Sequence, residues 1–199
     1  MNNKIMNGKN RNKLLISTPK LTTYTQHAHL LSILGTYEPT EYWIYSNYIN
    51  IYANTDLIRN SWADFYFSMP YELRPSDCCK WLTTQKVQRS FFTSIHESFL
   101  DFCTHAIDEG WYVHVMLDYF HIPGANNFEQ NHRIHDVLIY GYDVEQEKIY
   151  ANDFLLTGKY ASFDIPMNRI NSAFDDYSKA WNQDFIKGNI YLYKIDKNL

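Results

Sequence analysis

The chain lacks several features that would place it in a class at once. No apolar run approaches the roughly 20 residues that span a bilayer, so we expect a soluble protein that does not enter a membrane. Acidic residues number 22 against 18 basic ones, and the net charge of -4 argues against nucleic-acid binding, which needs a clustered basic surface. The segment before Leu14 is rich in lysine and asparagine and holds no apolar core of signal-peptide length. We therefore expect a cytoplasmic protein.

Cysteine is scarce as well. The chain has only Cys78, Cys79 and Cys103, which form neither a CxxC pair nor the framework of a disulfide-rich protein. Cys103 falls on the apolar face of a predicted helix, where we interpret it as core packing. One of the two adjacent cysteines can be exposed, but adjacency is no sign of catalysis. None of the three is predicted to be a catalytic nucleophile.

Tyrosine, in contrast, is abundant, with 17 residues. A buried tyrosine hydroxyl needs a hydrogen-bond partner, so this number fits a wet pocket or an interaction face. It fits equally a core in which tyrosine replaces phenylalanine. The length of 199 residues fits one domain, and the chain shows no repeat or linker. We predict a flexible leader over residues 1–13 and a single domain over residues 14–199.

Helices are predicted at three places. The segment Thr22–Gly35 has threonines positioned to cap a helix, apolar residues at helical spacing and a terminal glycine. A longer helix over Gln88–Glu109 carries a phenylalanine-rich face and ends at Gly110. A third, amphipathic helix is predicted from Pro166 to Trp181. The stretch from Trp43 to Ile51 has helical spacing but residues that favour strands, so both types stay open.

Strands are predicted mostly in the second half of the chain. Two short strands come earlier, at Leu14–Thr18 and Ser61–Phe67, and a polar loop follows the second. Alternating apolar runs then predict four or five antiparallel strands, at 111–122, in a hairpin over 135–154, at 159–165 and at 189–195. Because helices dominate the first half and strands the second, the fold class is α+β, with helices packed on a twisted antiparallel sheet.

The predicted hairpin over 135–154 contains the candidate catalytic residues. Directly paired residues of an antiparallel hairpin have a constant index sum, and a turn of three or five residues near Val144 makes that sum even. His135 and Asp153 then share a face, where the carboxylate can orient a histidine that acts as general base. An odd sum would instead make Asn152 the neighbour of His135. A histidine beside an aspartate is also often only a satisfied buried pair.

Several stretches resemble a known family. The hairpin looks like the histidine hairpin of papain-like peptidases that process bacteriocin leaders. More closely, the chain resembles the N-terminal domain of butirosin biosynthesis protein H-like proteins, over roughly Thr22 to Tyr193. The stretches that carry this resemblance are WIYSNYINIY, GWYVHVMLDYFHIPG, HRIHDVLIYGYD and IYAND.

The resemblance implies a papain-like fold and a place in antibiotic biosynthesis. The type member of that family is an acyltransferase that moves an acyl group from an acyl carrier protein onto an amine. The implied partners are therefore an acyl or peptidyl carrier protein and a small amine acceptor, and no cofactor or metal is implied. With this reading, His135 is the catalytic base and Asp153 its orienting carboxylate.

The family pattern is broken at the nucleophile. Papain-like enzymes place a cysteine at the N-terminus of the first core helix, where the helix dipole and the histidine stabilise a thiolate. Here the matching position holds Thr25, or in a shifted alignment Thr23, and no cysteine lies within fifty residues. The glutamine that helps form the oxyanion hole is not evident either, since Pro19 and Lys20 occupy that region. A threonine hydroxyl stays mostly protonated, so the exchange should cost orders of magnitude in thioester chemistry.

Three hypotheses follow. In the first, Thr25 is a weak hydroxyl nucleophile activated by His135. In the second, the domain is catalytically degenerate and only binds a carrier protein or natural product. In the third, His135 deprotonates an amine that attacks a carrier-bound thioester directly, without any cysteine. A peptidase is less favoured, because peptide cleavage would suffer most from the missing thiol.

Other residues are assigned to the surroundings of the site. The substrate-binding candidates are Tyr24, Gln26, His27 and Asn152. A metal site formed by His27, His29, His132 and His135 is disfavoured. Residues two apart on a helix, or three apart on a strand, do not lie on one face. The loop from His121 to His132 is either a substrate-gating loop or a plain connector. Glu38 and Glu41 are candidates for the groove that takes a cationic amine.

Overall fold

The computed structural model describes residues 9–49, 51–53, 63–65, 75–95, 98–155, 158–176 and 188–198. The chain divides into two compact units. We call Met1–Leu15 with Thr84–Lys194 the sheet unit, and Ile16–Thr83 with Ile195–Leu199 the helical unit. No helix in the described ranges combines the length and the apolar character that crossing a membrane requires.

The helices and strands define the fold class. The described α-helices are α1 (Thr25–Leu34), α2 (Glu41–Asn47), α3 (Arg89–Ile95), α4 (Phe99–Asp108) and α5 (Met167–Asp175). The described strands are β1 (Arg11–Lys13), β2 (Ile51–Ala53), β3 (Ala63–Phe65), β4 (Leu82–Gln88), β5 (Tyr112–Asp118), β6 (Ile134–Asp143), β7 (Lys148–Asp153), β8 (Ala161–Pro166) and β9 (Asn189–Ile195). The predicted α+β class is confirmed.

The main sheet has seven strands. Its order is β4-β9-β5-β6-β7-β8, and β1 adds to β6. The pairs β1–β6, β5–β6, β5–β9, β6–β7 and β7–β8 are all antiparallel. Strands β2 and β3 form a separate two-stranded sheet. Strands β5 and β6 are buried along most of their length, which is typical of the central strands of a sheet.

One face of the seven-stranded sheet packs against α4 and α5. Val113, Val115 and Val137 from the strands are at most 1% exposed and belong to this core. Between the two helices, the rings of Phe99 and Phe174 stack with their centroids 4.0 Å apart and an interplanar angle of 10°. These helices therefore cover the sheet face that Val113, Val115 and Val137 share. His135 lies on the same face, near the start of β6.

Several predicted elements have different bounds in the structure. The first strand is Arg11–Lys13 rather than Leu14–Thr18, so the predicted leader runs into a paired strand. The polar loop expected after the second strand contains β4. The predicted long helix over Gln88–Glu109 is wrong as a single element, because Gln88 ends β4 and two helices follow. The second of them begins after Ser98, whose side chain accepts a hydrogen bond from the Asp101 amide at 3.2 Å and caps the helix.

The other helices follow the predictions more closely. The helix α1 begins at Thr25 and is followed by Gly35, as predicted, but its N-cap is Tyr24 and no side chain caps it. The stretch of open type from Trp43 to Ile51 contains both a helix, α2, and the start of β2. The strand predicted at 61–67 contains β3, and α5 covers the first half of the third predicted helix. The rest of that helix, from 177 to 181, lies outside the described residues.

The hairpin of β6 and β7 contains an irregularity. Four residues, 144–147, connect the strands, and near this turn Tyr142 pairs with Ile149, which gives an odd index sum. The register then shifts between Ile139 and Gly141, and beyond that β-bulge Ile139 pairs with Ala151, which gives an even sum. The expected three- or five-residue turn is therefore wrong, yet the expected even sum holds at the mouth of the hairpin.

Gly141 marks a close approach of β1 to β6. A Cβ atom at Gly141 would lie 2.8 Å from the Asn12 carbonyl oxygen and 3.0 Å from the Lys13 Cα, both backbone atoms of β1. We expect Gly141→Ala to lower the free energy of unfolding by about 1 to 3 kcal/mol, because the backbone of β1 has to shift. Urea denaturation followed by circular dichroism measures this change. An unchanged midpoint with a native spectrum would contradict the close approach.

Candidate active site

The site is centred on two side chains at the mouth of the hairpin. The Nδ1 atom of His135 lies 2.8 Å from Oδ2 of Asp153. The Asp153 side chain is fully buried, whereas one third of the His135 side chain is exposed. Since Asp153 occupies Nδ1, the other ring nitrogen, Nε2, remains for a ligand. The predicted contact is present, and the catalytic role of both residues stays a prediction.

The Asp153 carboxyl group is buried and hydrogen-bonded inside the protein. Burial raises its pKa to about 8, because a charged carboxylate loses its hydration there. The amide of Phe154 donates to Oδ1 at 2.6 Å and opposes that rise. The carboxyl group therefore loses its proton at a higher pH than an exposed aspartate does.

Tyr119 is a site residue that the sequence did not single out. Its hydroxyl donates a hydrogen bond to the same Asp153 oxygen that faces His135. Its ring lies 5.5 Å from the His135 ring, centroid to centroid, and the residue is 7% exposed. Tyr119 directly follows β5, the strand that pairs with β6, and only this pairing reveals its place. Among 17 tyrosines in the chain, no local pattern distinguishes it.

The Tyr119 hydrogen bond has a measurable electrostatic consequence. A donor to a carboxylate favours the charged form, so its loss in Tyr119→Phe should raise the pKa of Asp153 further, by about one pH unit. The measurement is a ¹³C NMR titration of the Asp153 carboxyl carbon, assigned with Asp153→Asn. Tyr140→Phe is the control, because the Tyr140 hydroxyl donates to Ser162 instead. A midpoint that stays fixed in Tyr119→Phe would refute this role of the hydroxyl.

His135 opens onto a cavity of about 560 Å³ within the sheet unit. Tyr119, His135 and the apolar residues Phe154 and Leu155 line it, and polar residues of the loop before β6 line it as well. The volume lies in the range of small-molecule sites. The cavity therefore offers an apolar wall and a histidine in one place.

Asn152 lies on the other face of the sheet. It pairs with Leu138, and its side-chain oxygen accepts a hydrogen bond from the Ser162 hydroxyl at 2.7 Å. It is 3% exposed and does not contact the cavity of His135. The alternative in which Asn152 orients His135 is therefore wrong in this structure, since Asp153 faces Nδ1 of His135 instead. The substrate-binding role of Asn152 stays a prediction.

The remaining candidates belong to the helical unit. Thr25 is the first residue of α1 and half-buried, Tyr24 is 40% exposed, and Gln26 is half-buried. His27 is fully buried, and its Nδ1 atom lies 3.0 Å from the Tyr48 hydroxyl. His27 is thus enclosed in its own unit rather than open to a ligand. The catalytic role of Thr25 and the substrate-binding roles of Tyr24, Gln26 and His27 stay predictions.

A second cavity, of about 400 Å³, lies in the helical unit beside the C-terminal end of α1. Glu38 and Glu41, the candidates for an amine groove, both line it. Glu41 already pairs with Lys20, which also lines this cavity, and accepts a hydrogen bond from the Tyr45 hydroxyl at 3.2 Å. The Lys20 ammonium group lowers the pKa of Glu41. A cation in this groove would therefore meet a carboxylate that is already paired.

Two of the three thiols are unsuited to nucleophilic chemistry because they are buried. Cys103 is fully buried in the core, as predicted, and burial holds its pKa well above the usual range. Cys79 is buried too, and its pKa rises to about 12. Cys78 is exposed and lies in the helical unit. Neither buried thiol can supply a thiolate at neutral pH.

A second histidine–aspartate pair lies close to the first in sequence. Nδ1 of His132 is 2.5 Å from Oδ2 of Asp118, whose side chain is fully buried. The other Asp118 oxygen accepts hydrogen bonds from the amides of Phe120 and Arg133, both at 3.0 Å. The His132 ring stacks on Phe120 and does not line the cavity. Across the described ranges, no group of three or more His, Cys, Asp or Glu side chains is arranged to hold a metal ion.

Comparison with known proteins gives little beyond this geometry. No protein-family model matches the chain, and no curated protein matches it. A solved structure of a protein from Bacillus anthracis, described as a C39-like peptidase, is similar with a TM-score of 0.33 and 15% sequence identity. The similarity covers 57% of this chain and 52% of that one, so the chain spans about half the length of that protein.

Proposed function

We propose that the chain is a papain-like acyltransferase that forms an amide from a carrier-tethered acyl or peptidyl group and an amine. One observation carries the proposal: the half-buried His135 is hydrogen-bonded to the buried Asp153 and lines a cavity of about 560 Å³. Such a pair fixes the tautomer of the imidazole and stabilises the imidazolium that forms during proton transfer. The resemblance to the butirosin biosynthesis protein H-like family supplies the class of donor and acceptor.

The reaction needs one general base. Nε2 of His135 takes a proton from the amine as the amine nitrogen attacks the carbonyl carbon of the thioester. The C–S bond then breaks, the carrier thiolate leaves and takes a proton from the imidazolium, and an amide bond remains. Asp153 stays hydrogen-bonded to Nδ1 throughout and, at pH values above its raised pKa, carries the negative charge that stabilises the protonated ring.

Direct aminolysis suits this chain because it requires no protein thiol. Cys79 and Cys103 are buried with raised pKa values, and the family's cysteine position holds threonine. A thioester is reactive enough that positioning and a base can carry the reaction without a covalent intermediate. The route through a Thr25 ester remains the alternative within the same function.

A non-catalytic binding module is the second candidate function. It is favoured by the exposed apolar side chains on and after α2, since Tyr42 is 82% exposed, Tyr45 53% and Ile49 71%. Aromatic residues are enriched at protein interfaces, so this surface suits a protein partner such as a carrier. In this alternative the domain would bind the loaded carrier but leave the acyl group in place.

Intact mass spectrometry separates these functions. The protein is incubated with acyl-loaded carrier proteins and a panel of amines, and both the carrier and the enzyme are weighed. We expect the carrier to lose its acyl group only when an amine is present, with no acyl adduct on the enzyme. An adduct that disappears in Thr25→Ala would establish the covalent route instead. Binding of the carrier without any loss of its acyl group would refute the acyltransferase function and support a non-catalytic binding module.

A further inference from the structure

The polar part of the His135 cavity carries a positive charge. Besides His135, Arg133 is the single ionisable basic side chain among the described lining residues, and no described lining residue is acidic. This contrasts with the chain as a whole, whose net charge is -4. In the described part of the chain, no carboxylate pairs with the Arg133 guanidinium, and the residue is exposed. Because Arg133 is exposed and lines the cavity, its guanidinium is accessible to a ligand there.

The position of Arg133 is fixed by its backbone. Its amide donates to the buried Asp118 carboxylate at 3.0 Å, and its carbonyl accepts from the Tyr119 amide at 2.7 Å. Arg133 lies two residues before His135, at the entrance to β6. The strand pairing that places His135 thus also holds the arginine at the same cavity.

Two side-chain amides add further donors. Asn126 and Asn127 line the same cavity, on the loop between β5 and β6. That loop is held by backbone hydrogen bonds, among them Glu129 to the Phe120 carbonyl at 3.0 Å. A guanidinium with two nearby carboxamide groups is a set of donors that suits the oxygens of a carboxylate or phosphate.

From this arrangement we infer that the His135 cavity accepts an acyl donor that carries an anionic oxygen group, which Arg133 binds together with Asn126 and Asn127. The inference rests on the proposed function for the identity of the donor. It deepens that function by naming the charge of the substrate. The anionic group is either a carboxylate on the acyl chain or the phosphate of a phosphopantetheine arm, and both present the same chemistry to the guanidinium.

Binding of four unreactive analogues tests the inference. Each is a pantetheine in which nitrogen replaces the thioester sulfur; the acyl group is succinyl or butyryl, and the 4′-phosphate is present or absent. Calorimetry is run on the full chain, on Arg133→Ala and Arg133→Lys, and on Arg11→Ala. The last removes an equal charge from an exposed residue of β1 that does not line the cavity.

We expect Arg133→Ala to weaken binding of an anionic analogue by about 10- to 100-fold, and to leave the neutral butyryl analogue without phosphate unchanged. Arg133→Lys should recover part of the affinity, because it keeps the charge but not the planar fork. Arg11→Ala should have no effect. Dependence on succinyl alone identifies a carboxylate, and dependence on the phosphate alone identifies the arm.

Three results would overturn the inference. The first is equal binding of neutral and anionic analogues, and the second is equal binding by the Arg133 variants and the unchanged protein. The third is no binding of any analogue at millimolar concentration. Acyl transfer from the matching thioesters is measured separately. Anion-dependent binding without transfer would refute the proposed reaction alone, and transfer without charge preference would refute the inference alone.

Discussion

His135→Ala is expected to lower kcat/KM for amide formation by about 10²- to 10⁴-fold, which is the range for removal of a general base. The variant keeps the buried Asp153 and its other two hydrogen bonds, from Tyr119 and the Phe154 amide. What it loses is the nitrogen that takes the amine proton. The measurement is the rate of amide formation from a loaded carrier, followed by mass spectrometry at saturating amine.

His132→Ala is the matched control. The two histidines are equally exposed, at 33% of the side chain, and in each the Nδ1 atom faces a buried aspartate. They differ in that His135 lines the cavity and His132 does not. The His132 variant should therefore keep its rate within about threefold of the unchanged protein. Equal losses in the two variants would show that a general disturbance of the loop, and not the chemistry of His135, controls the rate.

Asp118→Ala is expected to lower the free energy of unfolding by about 2 to 5 kcal/mol. The Asp118 carboxylate is fully buried and satisfies two backbone amides as well as His132. Its removal leaves these amides without an acceptor at the point where β5 ends and β6 begins. Each buried donor that loses its partner costs roughly 1 to 3 kcal/mol.

Asp164→Ala provides the comparison for this experiment. Asp164 lies on β8, half of its side chain is exposed, and it pairs with Lys148 at 3.0 Å. An exposed ion pair of this kind contributes less than about 1 kcal/mol. Urea denaturation of both variants gives the two free energies under the same conditions. If Asp118→Ala were no less stable than Asp164→Ala, the buried carboxylate would not be what holds the loop to the sheet.

The sequence predicts the strands of the sheet unit well in the second half of the chain, where apolar runs are separated by clear turn residues. The strands from residue 112 onward are present close to their predicted bounds, because continuous apolar runs between turns leave few alternatives. The joint face of His135 and Asp153 was predicted for an incorrect reason, however. The turn has four residues, and the bulge between Ile139 and Gly141 restores the even register. No local signal in the sequence announces such a bulge.

Other features depend on contacts that are distant in the chain. The predicted single helix over Gln88–Glu109 failed because its first residue pairs in β4 and because Ser98 caps a new helix inside it. A uniform phenylalanine-rich pattern hides such a break. Tyr119 and Arg133 join the site only through the pairing of β5 with β6, which composition and spacing do not reveal. Sequence patterns singled out His135 and Asp153, and the tertiary structure showed which other residues surround them.

Because of the bulge in the hairpin, the length of the turn at 144–147 and the placement of His135 can be considered separately. Beyond it, the mouth of β6 is held by β5 on one side and by β7 on the other, through His135 with Leu117 and Leu138 with Asn152. An odd or even number of residues in the connecting turn therefore does not decide on which face of the sheet the His135 ring lies. A protein engineer who transplants this hairpin should keep Tyr140, the extra residue of the bulge. The turn at 144–147 is the part whose length can be changed or into which a peptide tag can be inserted.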